Sequence, residues 1–68
     1  MDKHHALPIT TRDHLLLAWH YSMSLTRDLE AYAKETHDNE EAARCFAHCA
    51  ETEAKHAAHF LELLHKVR

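Results

Sequence analysis

The 68-residue sequence contains no glycine and only one proline, Pro8. Tight β-hairpin turns and phosphate-binding loops depend on glycine, because only glycine readily adopts positive φ angles. An all-β fold and a P-loop are therefore excluded. Aromatic residues make up only 7% of the chain, and alanine and leucine supply much of its hydrophobic content. These are strong helix formers, so the composition predicts an all-α protein.

The chain also lacks a cluster of basic residues and a long apolar run. Its eight lysines and arginines are scattered singly and its net charge is -3, which argues against nucleic-acid binding. The longest apolar run, residues 15–19, is far too short to span a membrane, and no signal peptide precedes it. We therefore expect a cytoplasmic protein with no nucleic-acid or membrane partner. Cys45 and Cys49 are expected to be free thiols, because a disulfide one helical turn apart would be strained.

Two helix-start signals divide the chain. Residues 1–9 have no apolar periodicity and are predicted to be a flexible N-terminal tail. Thr10 and Asp13 form a capping-box pattern, so helix 1 is predicted over about 11–36. Asp38 and Glu41 repeat the pattern, and helix 2 is predicted over about 39–66. The connection is too short for any other arrangement, so residues 10–68 should form one antiparallel helical-hairpin domain.

Each predicted helix has one apolar stripe at helical spacing. A single hairpin of this size buries too little surface to be stable alone, and it would leave half of its apolar surface in contact with water. We therefore expect two or more copies to associate, most simply as a dimeric four-helix bundle. The stripes are Leu15, Ala18, Trp19, Ser22, Leu25, Leu29, Tyr32 and Ala33 on helix 1, and Ala43, Phe46, Ala50, Glu53, Ala57, Phe60, Leu64 and Val67 on helix 2.

The charged member of the second stripe, Glu53, is the first candidate for a functional residue. A glutamate at a core position is normally paired or bound to a metal, and His56 lies three residues later on the same face. A Glu-x-x-His pair in a helical bundle is the ligand pattern of di-iron and di-manganese carboxylate proteins. With the turn near Asp38, Glu53 should face Met23. The helix 1 ligand would be Glu30 from another subunit or, within one chain, His20, which should face His56.

Residues 28–66 resemble the half-bundle hairpin of the ferritin-like superfamily, especially the short rubrerythrin-related chains known as encapsulated ferritins. The resemblance lies in a helix 1 acid, Glu30, followed on helix 2 by Glu53-Ala-Lys-His56 and a stretch rich in alanine and leucine. It implies a four-helix bundle of two chains, with iron at their interface and ferroxidase-like oxidation or storage of iron. Manganese or zinc would suit the same ligands. The family also suggests an encapsulin shell as partner, although no recognisable targeting extension follows Arg68.

Two other interpretations of the same residues stay open. Cys45, His48 and Cys49 lie one turn apart on helix 2 and could bind Zn(II) or Cu(I) without catalysis. Alternatively, Glu53 lies at the margin of a metal-free structural hairpin and His56 is a core histidine with satisfied hydrogen bonds. The sequence singles out no catalytic residue.

Overall fold

The computed structural model describes residues 10–67. These residues form two α-helices, α1 (Thr11–Glu35) and α2 (Glu40–Lys66), and contain no β-strand. The predicted all-α hairpin is therefore confirmed. The predicted N-terminal tail and Arg68 lie outside the described residues. Neither of the two helices has a stretch that is both long enough and apolar enough to cross a membrane.

The start of α1 is fixed by the predicted capping box. The backbone N–H of Asp13 donates to Oγ1 of Thr10 at 3.1 Å, and the backbone N–H of Thr10 donates to Oδ2 of Asp13 at 3.2 Å. Two N–H groups that have no partner within the helix are thereby satisfied. The hydrogen bond from the Thr10 backbone N–H, followed by that from the Thr10 side chain, favours the ionised carboxylate and lowers the pKa of Asp13. The prediction that this pair begins the first helix is confirmed.

The turn between the helices differs from the predicted one in its capping residue. We expected Asp38 and Glu41 to begin the second helix, but the N-cap is Asn39, whose Oδ1 accepts the N–H of Ala42 at 2.9 Å. The prediction of Asp38 as the cap is wrong because asparagine caps as well as aspartate and here stands directly before the first helical residue. At the other side of the turn, α1 ends at Glu35, and the N–H of Thr36 donates to the carbonyl of Tyr32.

The helices run antiparallel, and contacts along their length fix the register. Ser22 contacts Glu53 near the middle of both helices, and the rings of Tyr32 and Phe46 meet edge-to-face near the turn, with centroids 5.6 Å apart. The predicted partner of Glu53 was Met23, but the residue that contacts Glu53 is its neighbour Ser22. The difference has a physical reason: Ser22 lies on the inner side of α1, whereas Met23 is turned about 100° away from it.

The hairpin has little core of its own. Among the described residues only Ser22, Ala50, Ala57 and Leu64 are buried, and no large side chain is completely buried. Seven large hydrophobic residues are exposed: Leu16, Leu17, Tyr21, Met23, Leu25, Tyr32 and Leu63. Of the predicted apolar stripes, Leu25 and Tyr32 are therefore on the surface of the single chain.

Candidate metal centre

The contact between Ser22 and Glu53 is the polar centre of the helix pair. The Ser22 hydroxyl donates to Oε2 of Glu53 at 2.6 Å. Ser22 is only 4% exposed, and the Glu53 side chain is 20% exposed. The Ser22 carbonyl in turn accepts a hydrogen bond from the Thr26 hydroxyl at 2.8 Å, which satisfies Thr26 within its own helix. The Ser22 hydroxyl is thus directed across the hairpin and holds one of the two carboxylate oxygens in place.

The second oxygen of the same carboxylate faces His56. Oε1 of Glu53 lies 3.2 Å from Nδ1 of His56, one turn further along α2. The i, i+3 spacing brings the two side chains together, as expected for neighbours on one helix surface. The imidazole is largely exposed, so the pair forms a half-buried carboxylate with an accessible imidazole beside it.

These contacts set the ionisation of Glu53. The Ser22 hydrogen bond lowers the pKa of Glu53, and the hydrogen bond and positive charge available from His56 lower it further. Partial burial opposes this change by disfavouring the charged form, but the net result is a pKa below the ordinary value for glutamate. Glu53 is therefore an anion at neutral pH, which is the state that a metal ligand requires.

The pair fits a metal ion of the kind that the ferritin-like resemblance implies. Oxygen and nitrogen donors lie about 2.1 Å from a first-row transition metal, so two donors on one ion are separated by about 3.0–3.4 Å. The 3.2 Å between Oε1 and Nδ1 lies within this range. Carboxylate and imidazole together suit Fe(II), Mn(II) and Zn(II). However, residues 10–67 contain no group of three or more metal-binding side chains. One described chain would therefore offer an ion two ligands at this position, Glu53 and His56.

The hairpin has two broad faces, which differ in character. At about 100° per residue, Leu25 and Tyr32 project to one side of the inner line of α1 that contains Ser22, and Met23 and Glu30 project to the other. The first side, which we call the site face, carries Tyr21, Leu25, Tyr32, Cys49, His56 and Leu63, with Glu53 at its inner edge. The opposite side, the groove face, carries Glu30, Lys34, Ala47, Glu51 and Ala54, which line a groove of about 480 Å³.

The two helix 1 candidates do not contact Glu53. Glu30 lies on the groove face beside Ala47 and Glu51, on the other side of the hairpin from His56. His20 is exposed and its ring packs edge-on against Tyr21, with centroids 6.1 Å apart. By helical geometry it projects away from α2. The side chain that α1 does present to Glu53 is the Ser22 hydroxyl.

The cysteine-containing candidate lies one to two turns before Glu53. Cys45 and Cys49 are both free and exposed, and His48 is exposed as well. The hydrogen bond between the two thiols raises the pKa of Cys49. His48 does not complete a three-donor group with the two thiols among the described residues.

Ser22 is the site residue that the sequence interpretation missed. It was assigned to the apolar stripe of helix 1, although a serine facing a glutamate across a predicted hairpin is a signal for a hydrogen bond. Comparison with protein-family models, curated proteins and solved structures finds no match to this chain. The ferritin-like resemblance therefore depends on the Glu53-x-x-His56 motif and its position in the hairpin.

Proposed function

We propose that the chain is one half of a dimeric, ferritin-like four-helix bundle that binds iron at its subunit interface. The Glu53–His56 pair of each copy supplies a carboxylate oxygen and an imidazole nitrogen, and the two pairs together complete the coordination. The activity that follows is storage of iron or oxidation of Fe(II) by oxygen. Manganese or zinc would bind to the same ligands. The observation that carries this proposal is the 3.2 Å approach of Nδ1 of His56 to the half-buried Glu53 carboxylate.

The exposed apolar residues support association through the site face. By helical geometry, four of the seven exposed large hydrophobic residues project to that side: Tyr21, Leu25, Tyr32 and Leu63. The groove face instead carries the charges of Glu30, Lys34 and Glu51. Charged residues are depleted at the centres of protein interfaces, whereas tyrosine is enriched there. A second copy on the site face would bury the apolar side chains that one hairpin leaves in water.

The same association would complete the metal site. In a twofold dimer the same residues of both copies meet, so two Glu53–His56 pairs would lie on the same interface. Burial of that interface would remove water from the carboxylates, and metal ions would compensate their charge. The two exposed cysteines are compatible with the reducing cytoplasm that we expect for this protein.

The decisive experiment is an anaerobic Fe(II) titration of the purified chain followed by exposure to air. Bound iron is counted by elemental analysis, and oxidation is followed by absorbance. We expect the wild type to bind iron stoichiometrically, and Glu53→Gln and His56→Ala to lose it. The matched control is Glu51→Gln, which removes an exposed glutamate from the groove face of the same helix. A chain with nine histidines can also collect ions on its surface, so only the difference between Glu53→Gln and Glu51→Gln identifies a specific site.

Equal iron binding by the Glu53 and Glu51 variants would overturn the metal-centre proposal. A wild type that stays monomeric at high concentration, with and without iron, would overturn the interface. Binding of iron without oxidation in air would leave storage as the function and exclude the oxidase activity.

A metal-free structural hairpin is the second candidate, and one observation favours it. Both oxygens of Glu53 already have protein neighbours, Ser22 Oγ and His56 Nδ1, so the carboxylate is satisfied without an ion. For this candidate the dimer should keep its full stability in excess chelator. For the metal centre, the chelator should lower the melting temperature of the wild type and leave that of Glu53→Gln unchanged.

A further inference from the structure

Two thiols form a second cluster on α2, separate from the Glu53–His56 pair. Cys49 belongs to the site face and Cys45 lies at its edge, one turn nearer the helix N-terminus. Both cysteines are free and exposed. Residues at i and i+4 of a helix are surface neighbours, with about 6 Å between their Cβ atoms. Two sulfur atoms on such a pair can therefore reach a common ion between them.

The number of donors at this cluster decides what it can hold. Among the described residues, no third histidine, cysteine or carboxylate converges with the two thiols. Structural zinc sites require four ligands, and catalytic zinc sites take three from the protein. Cu(I) is a soft, monovalent ion that selects thiolates, and two of them satisfy it in a linear arrangement. The two thiols of one chain therefore suffice for Cu(I), whereas a zinc ion would need further ligands.

We propose that Cys45 and Cys49 together bind one Cu(I) ion through their two sulfur atoms. On binding, the S–H bond of each cysteine breaks, two S–Cu bonds form and two protons are released to solvent. Copper enters and remains as Cu(I), so no electron is transferred. Its ligands are distinct from those of the proposed iron centre, because it uses neither Glu53 nor His56, although Cys49 shares the site face with them.

Its neighbour Cys45 affects the ionisation of Cys49. A thiol must lose its proton to act as a nucleophile, and the raised pKa of Cys49 keeps that thiol protonated at neutral pH. A soft cation displaces the protons because the metal–thiolate bonds compensate the cost of ionisation.

The test measures Cu(I) affinity of the full chain by anaerobic competition with the chromophoric chelator bicinchoninate. We expect one Cu(I) per chain in the wild type. Cys45→Ser and Cys49→Ser should each lower the Cu(I) affinity by about 100-fold or more. Loss of a residue that only hydrogen-bonds to a metal ligand already lowers metal affinity by about 10–100-fold. His48→Ala is the matched control for a third donor, and Glu53→Gln is the control for the iron centre. Both should stay within about threefold of the wild type, since neither removes a thiol.

A second measurement on the wild type does not depend on the folding of any variant. At a protein concentration at which the chain is monomeric, both thiols should react with a disulfide reagent in the metal-free protein, and neither should react after addition of one equivalent of Cu(I). Unchanged copper affinity in the Cys45→Ser/Cys49→Ser double variant would overturn the proposal. A loss in His48→Ala as large as in the cysteine variants would overturn the two-sulfur site. Thiols that remain reactive when copper is bound would also overturn the two-sulfur site.

Discussion

The Ser22 hydroxyl donates a 2.6 Å hydrogen bond to Oε2 of Glu53, and this bond joins the middle of α1 to the middle of α2. Because Ser22 is buried, a slip of the helices by one residue would leave its hydroxyl and a carboxylate oxygen without this partner. The bond therefore selects one register of the hairpin. It also holds the carboxylate so that its other oxygen faces His56.

Replacing Ser22 by alanine should raise the pKa of Glu53 toward its ordinary value and destabilise the hairpin. We expect the free energy of unfolding at pH 7 to fall by about 1 kcal/mol, which is below the usual range for a bond to a charged group because water retains access to Glu53. Urea unfolding at fixed protein concentration measures this change. Ser24→Ala, on the same helix, is the control and should have a much smaller effect.

The same contact predicts the pH dependence of stability. The folded-state pKa of Glu53 is lowered, so its contribution is fully present above the ordinary glutamate pKa and is lost as pH falls through the lowered value. The difference between the wild type and Ser22→Ala should therefore be largest near neutral pH and shrink in acid. A difference that grows as the pH falls would contradict the assigned cause. Carbon NMR of the Glu53 carboxyl would measure both pKa values directly.

The choice of interface can be tested with two residues on opposite sides of α1. Leu25 is 44% exposed on the site face, and Met23 is 38% exposed on the other side. If the site face is the interface, Leu25→Lys should place a charge in it and shift the dimer toward monomer by at least about tenfold in the dissociation constant. Met23→Lys should have little effect. Sedimentation equilibrium measures both, and the reverse order would assign the interface to the groove face.

The capping residue of α2 gives a test of the turn. Asn39→Ala removes the oxygen that accepts the N–H of Ala42 and should cost about 1 kcal/mol of stability. Asp38→Ala alters the neighbouring residue, which does not cap the helix, and should cost only a few tenths. Thermal unfolding of the two variants, followed by circular dichroism, distinguishes them. A larger loss for Asp38→Ala would restore the cap that the sequence suggested.

The position of Glu30 leads to a prediction about metal binding. Glu30 lies on the groove face, so it is remote from His56 of its own chain and also from a copy docked on the site face. We therefore expect Glu30→Ala to leave the iron stoichiometry unchanged, whereas Glu53→Gln abolishes it. A loss of iron in Glu30→Ala would show that the subunits pack in another way. Elemental analysis after removal of free iron provides the measurement.

The sequence alone determined the secondary structure and much of the candidate site. The absence of glycine, the capping box at Thr10 and the helical spacing of apolar residues were sufficient for two helices and a short turn, because these signals are local. The proximity of Glu53 and His56 was equally predictable, since an i, i+3 pair on one helix meets whatever the helix packs against.

Only the tertiary structure decided which residues face each other and which side of the hairpin each occupies. The register depends on how two inner surfaces pack, and a rotation of α1 by one residue exchanges Met23 for Ser22 as the partner of Glu53. The same rotation places Glu30 on the groove face and leaves Leu25 and Tyr32 exposed beside His56. Periodicity identifies an apolar stripe, but the packing of the two helices decides which part of it they bury and which part they leave for another surface.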